Sequence, residues 1–83
     1  MDSADMLPGT IYAVLTYRID SNIAWDVRLY RKKENGYRDT ELGWDMSKTL
    51  RGAKYCARRL YRRYLKRKKI GDGHTITMIL GKD

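Results

Sequence analysis

Apolar and polar residues alternate along the first half of the chain, which is the pattern of strands in a sheet with one solvent-exposed face. Residues 10–19 are rich in β-branched and aromatic side chains and are followed by polar residues at 20–22, which predicts a strand and a tight turn. From 23 to 31, Trp25, Val27 and Leu29 alternate with polar neighbours and predict a second strand.

Two further strands are predicted from shorter signals. Asn35-Gly36 is a strong hairpin sequence because both residues tolerate positive φ, and it predicts a third strand from 37 to about 44. Acidic residues and a glycine make this segment a poor strand, so we expect it at a sheet edge. Residues 74–80 return to alternation, with Ile76 and Met78 on the same side.

A long amphipathic helix is predicted between residues 48 and 69. Ser47 is the expected N-cap and Gly71 the expected C-terminal stop. The apolar positions recur at intervals of three and four and form one sector of a helical wheel. They are Leu50, Ala53, Cys56, Ala57, Leu60, Tyr61 and Tyr64.

Together these elements predict an α+β fold of order β-β-β-α-β, with one long basic amphipathic helix packed on a largely antiparallel sheet. Residues 10–83 are expected to form a single small domain, preceded by a short flexible leader at 1–9 that ends in a Pro8-Gly9 turn. An unprotected edge at the third or last strand is a candidate surface for a homodimer.

The charge of the protein is concentrated in the predicted helix. The 83 residues carry a net charge of +8, with 18 basic and 10 acidic side chains. Residues 48–69 hold 11 of the basic side chains and no acidic one, so the remainder of the chain has a net charge of −3. Such asymmetry is typical of an element that contacts a polyanion.

The basic face of the helix is therefore the predicted binding site. Five pairs of like charges lie four residues apart on it, at a cost of about 1–2.5 kcal/mol in low salt. A nucleic acid that neutralises the row would convert this penalty into binding energy. We expect a small protein that binds DNA or RNA, mainly through phosphates, and the candidate contacts are Arg51, Lys54, Tyr55, Arg58, Arg59, Arg62, Arg63, Lys66 and Arg67.

Two alternatives to nucleic-acid binding stay open for the basic face of the helix. The face is either merely solvated or meets an acidic protein, as in a viral or phage-type interaction protein or inhibitor that docks on an acidic surface or in a nucleic-acid channel of a host complex. Tyr55 either contacts the nucleic acid or only shields an arginine stem. A secondary basic group is a weaker candidate for binding and consists of Arg28, Arg31, Lys32 and Lys33.

Other functional classes are disfavoured by composition. One cysteine, Cys56, and one histidine, His74, supply neither a zinc site nor a nucleophile–base pair, so we expect no enzyme, no metal and no cofactor. The lone cysteine and the absence of a basic, apolar start favour a reducing, cytoplasmic compartment. Membrane binding is not expected, because the sheet needs the apolar stripe of the helix.

Overall fold

The computed structural model describes residues 6–19, 24–34, 36–68 and 76–82. These residues form one helix and a four-stranded mixed sheet, which confirms the predicted α+β class and the β-β-β-α-β order. The elements are β1 (Ile11–Tyr17), β2 (Trp25–Arg31), β3 (Thr40–Ser47), α1 (Leu50–Lys68) and β4 (Thr77–Lys82).

The sheet has the spatial order β3-β2-β1-β4. β1 pairs antiparallel with β2, and β2 pairs antiparallel with β3, as predicted for a largely antiparallel sheet. α1 connects the two edge strands and returns the chain along the sheet, so β4 runs parallel to β1. β3 is an edge strand as expected; a homodimer through either edge stays a prediction.

The first turn of the helix differs from the sequence prediction. Thr49, not Ser47, is the N-cap, because its hydroxyl Oγ1 accepts a hydrogen bond of 2.9 Å from the backbone N–H of Gly52. The hydroxyl of Ser47 instead accepts from the N–H of Thr49 at 3.3 Å. The predicted turn at 20–22 and the predicted helix stop at Gly71 lie outside the described residues.

The hairpin between β2 and β3 is longer than the Asn-Gly signal predicts. Gly36 has the expected positive φ of 91°, and the N–H of Tyr37 bonds the carbonyl of Glu34 at 3.1 Å. This turn is nevertheless not a two-residue hairpin loop, and β3 begins at Thr40, three residues later than expected. The strand then continues to Ser47 rather than ending near Trp44.

The core lies between α1 and one face of the sheet. Small residues on the helix, Ala53 and Ala57, are fully buried against Leu15, Val27 and Leu29. Their short side chains let the helix approach the sheet closely. Burial of a leucine or valine side chain, such as Leu15, Val27 or Leu29, stabilises the fold by about 1.5–3 kcal/mol.

Gly43 explains how the helix passes over the edge strand. A Cβ built on Gly43 would lie 3.1 Å from a methyl carbon of Leu60, closer than ordinary van der Waals contact. The glycine that weakens β3 as a sequence signal therefore makes room for α1.

The segment before β1 packs against the domain from Met6 onward. Met6 is buried, and the N–H of Gly9 bonds the carbonyl of Lys32 at 2.8 Å. The expected Pro8-Gly9 turn is present, with Gly9 at φ 92° and the N–H of Thr10 on the carbonyl of Leu7 at 3.2 Å. The division into a leader and one domain stays a prediction.

Candidate nucleic-acid interface

Most of the predicted contact residues lie on the side of α1 that faces away from the sheet. Lys54 and Arg59 are half-buried, and the other predicted contacts are exposed. The exposed ones are Arg51, Tyr55, Arg58, Arg62, Arg63, Lys66 and Arg67, with Lys68 beside them. The helix therefore carries most of its cations at the solvent boundary because its small and apolar residues occupy the sheet-facing side.

Four of these cations form a straight line, which we call the outer stripe: Arg51, Arg58, Arg62 and Lys66. At about 100° per residue, their positions fall within about 80° of one another, directly opposite the buried alanines. The stripe is about 22 Å long at about 1.5 Å per residue. A rigid helix thus holds these side chains in one direction along its length.

Carboxylate partners are scarce along this face. In the described part of the chain, Arg59 is the cation of α1 that has one: its guanidinium Nη2 donates to Asp45 Oδ2 at 2.7 Å. This hydrogen bond raises the pKa of Arg59. For the outer stripe, no ion pair to a described carboxylate exists. The positive charges of the outer stripe are therefore not neutralised by any carboxylate in the described part of the chain.

Asp45 is itself held ionised by its surroundings. Burial acts to raise its pKa, but hydrogen bonds from the Met46 N–H and from Arg59 outweigh burial, so the pKa of Asp45 is lowered. The neighbouring Cys56 responds in the opposite direction, because burial and then the charge of Asp45 raise the pKa of its thiol. Cys56 is a buried core residue, as its place on the apolar face predicts.

Tyr55 is the exposed aromatic ring on the outer side of the helix. It is 56% exposed, and the guanidinium carbon of Arg59 lies 5.9 Å from its ring centroid. Such a distance is typical of a cation–π contact. Tyr55 therefore contacts the guanidinium of Arg59, and its contact with nucleic acid stays a prediction.

Two of the four residues of the secondary basic group have carboxylate partners among the described residues. The Arg28 guanidinium donates from Nε to Asp26 at 2.9 Å and from Nη1 to Glu41 at 2.8 Å. These two hydrogen bonds hold the pKa of Arg28 above its usual value. The ammonium of Lys32 lies 3.7 Å from Asp39. Arg31 is half-buried and Lys33 is exposed, so the structure does not bring this group together as one cationic surface.

A polar network on the open face of the sheet, the face away from α1, was not predicted from the sequence. It consists of Asp26, Arg28, Glu41 and Trp44. Asp26 is only 6% exposed, and its second oxygen accepts from the Trp44 indole N–H at 2.7 Å. The network satisfies a buried carboxylate with two donors, so it stabilises the sheet and leaves Arg28 engaged.

A second cluster on the same face joins β1 to the β2–β3 loop. Tyr12 and Tyr30 stack with their ring centroids 5.5 Å apart, and the Tyr12 hydroxyl donates to Asp39. This bond, followed by one from the Lys33 N–H, lowers the pKa of Asp39. The two tyrosines are opposite each other in the β1–β2 register, a relation that only the pairing of the strands reveals.

No group of three His, Cys, Asp or Glu residues that could hold a metal ion occurs among the described residues; His74 lies outside them. In the same part of the chain, no helix is long and apolar enough to cross a membrane. Comparison of the chain with protein-family models, with curated proteins and with solved structures found no match.

Proposed function

We propose that this protein is a small, non-enzymatic nucleic-acid-binding protein that contacts phosphates through the basic face of α1. One observation supports this most: the outer stripe is exposed and has no described carboxylate partner, while Arg28, elsewhere in the molecule, has two. Phosphates would supply the missing counter-charges, and release of condensed counterions would drive the association.

The energetic cost of the row supports the same function. Arg58 and Arg62, and Arg62 and Lys66, lie four residues apart, where like charges destabilise a helix by about 0.2–0.5 kcal/mol per pair. An ordinary solvated face has acidic residues at some of these positions and gains energy from them. Native domains are stable by only about 5–15 kcal/mol, so a helix that retains this repulsion favours a role in binding.

The test is charge reversal with a matched control. We expect the combined variant Arg58→Glu, Arg62→Glu and Lys66→Glu to lose binding to nucleic acid in a gel shift, by about 100-fold or more, and to keep its circular dichroism spectrum. The control carries Arg31→Glu, Lys33→Glu and Arg38→Glu, which change the net charge equally on the β2–β3 side. The control should retain most of the affinity.

The two variants also separate this function from its competitors. If both bind as the wild type does, α1 is not the contact surface. If the folded wild type binds no duplex or single-stranded nucleic acid at low salt, the proposal is wrong. The alternative is then a protein partner, bound at an acidic surface or in the nucleic-acid channel of a larger complex. Loss of that binding in the same helix variants would identify α1 as the contact surface.

A further inference from the structure

We propose that the nucleic acid recognised by α1 is double-stranded, an inference that rests on the proposed function and narrows its substrate class. Proteins that bind single strands combine a basic groove with several aromatic rings on which successive bases stack. Proteins that bind a duplex mainly through its backbone need the cations without the rings. The placement of the aromatic residues in this fold distinguishes the two.

All nine aromatic residues of the chain are described, and eight of them are unsuited to stack bases beside the outer stripe. Tyr61 and Tyr64 pack into the core under the helix. Tyr17 and Trp25 pair at the end of β1, on the side of the sheet that α1 covers, and the Tyr17 ring packs edge-on against Trp25 at 5.2 Å. The other four lie on the open face or in the β2–β3 loop: Tyr12, Tyr30, Tyr37 and Trp44.

The remaining ring, Tyr55, is the single exposed aromatic within the basic face. Arg59 lies over it at 5.9 Å and is itself anchored to Asp45. One ring, already in contact with a guanidinium, does not make the row of stacking platforms that a single strand requires. The basic face of α1 therefore offers cations for phosphates but lacks a series of aromatic rings on which bases could stack.

The open face has rings but not the charge to attract a nucleic acid. Tyr30 and Trp44 lie there beside Asp26 and Glu41, whose carboxylates hold Arg28. A phosphate backbone on this face would meet acidic groups with their cations already engaged. The rings of the open face thus lie on the opposite side of the sheet from the cations of α1.

The shape of the outer stripe fits a duplex. A duplex is stiff on this length scale and carries one charge per about 1.7 Å of its axis, twice the linear density of a single strand. A straight stripe of about 22 Å on a rigid helix can follow a groove of the B form, or the phosphates beside it, without ordering a flexible chain.

The experiment compares two fluorescent probes by anisotropy at about 50 mM salt: a mixed-sequence DNA duplex of about 24 base pairs and a single-stranded oligothymidine of the same length. Wild type should bind the duplex at least about tenfold more tightly. Tyr55→Ala should lower the affinity for the two probes by about the same factor, so the preference for the duplex should persist.

Equal or tighter binding of oligothymidine would overturn this inference and leave the proposed function standing. A duplex preference that disappears in Tyr55→Ala would also overturn it, because the ring rather than the line of cations would then set the preference. If neither probe binds, the proposed function fails as well, so the two failures are distinguishable.

Discussion

Two surfaces of this protein carry cations in contrasting ways. On the open face of the sheet, Arg28 bonds Asp26 and Glu41, and Trp44 completes the coordination of the buried carboxylate. On the outer side of α1, the outer stripe has no carboxylate partner in the described part of the chain, and Arg59 beside it bonds Asp45. Among the described residues, the charges of the open-face network are paired with one another and those of the outer stripe are not.

This difference in pairing distinguishes charges that stabilise the fold from charges that are available to bind a partner. A buried polar network contributes to stability only when every member is satisfied, and the open face meets that condition. In the outer stripe, like charges four residues apart repel one another, which acts against the stability of the helix. Charge changes on the two surfaces should therefore move stability in opposite directions.

The largest effect is expected on the open face. Asp26→Ala removes a buried acceptor and leaves the Arg28 guanidinium and the Trp44 indole N–H without it, so the free energy of unfolding should fall by about 3 kcal/mol. Urea denaturation followed by circular dichroism measures this. Glu34→Ala, which removes an exposed carboxylate, should change stability by less than about 0.5 kcal/mol.

An opposite sign is expected on the helix. Arg62→Glu removes two like-charge pairs and creates two favourable ones with Arg58 and Lys66, so stability at low salt should rise by about 1 kcal/mol. The gain should shrink at high salt, because the pairs are exposed. Arg38→Glu, at an exposed position off the helix, is the control. Destabilisation by Arg62→Glu would show that this arginine supports the fold.

A smaller, pH-dependent effect is expected at Asp39. Its pKa is lowered in the folded protein, so its contribution is present above the ordinary carboxyl value, near 3.8, and is lost as the pH falls through the lowered pKa. Asp39→Asn should cost about 0.5–1 kcal/mol at neutral pH. The difference from wild type should close on acidification, as followed by urea denaturation at several pH values. A constant difference would contradict the assignment.

The helix and its basic face were predictable from sequence because both follow from one local period. The buried positions Ala53, Cys56, Ala57 and Tyr64 were predicted by spacing alone. Leu65 was missed, since it lies at the flank of the apolar sector and is buried by tertiary packing in the same cluster as Ile76. The periodicity of the helix does not show which flanking positions are buried by residues distant in sequence.

The open face was less predictable because it depends on strand register. Glu41 and Trp44 are three residues apart, so simple alternation places them on opposite faces of the sheet. A bulge in β3, opposite Leu29 and Tyr30, inserts one residue and brings both to the face of Arg28. The network therefore depends on a β-bulge that the alternation of polar and apolar residues does not predict.

The N-cap and the strand boundary show the same limit on a smaller scale. Ser47 and Thr49 are both good caps, and the choice depends on where β3 ends rather than on propensity. β3 itself begins late because the loop before it contains a turn of its own at Gly36.

The salt dependence of binding tests the central claim most directly. For duplex DNA, log Kobs should fall linearly with log salt, with a slope of about −0.9 per phosphate neutralised. Neutralising three stripe residues together, Arg58→Gln, Arg62→Gln and Lys66→Gln, should make the slope shallower by about 2.7. A wild-type affinity that is insensitive to salt, or a slope unchanged in the triple variant, would contradict the account.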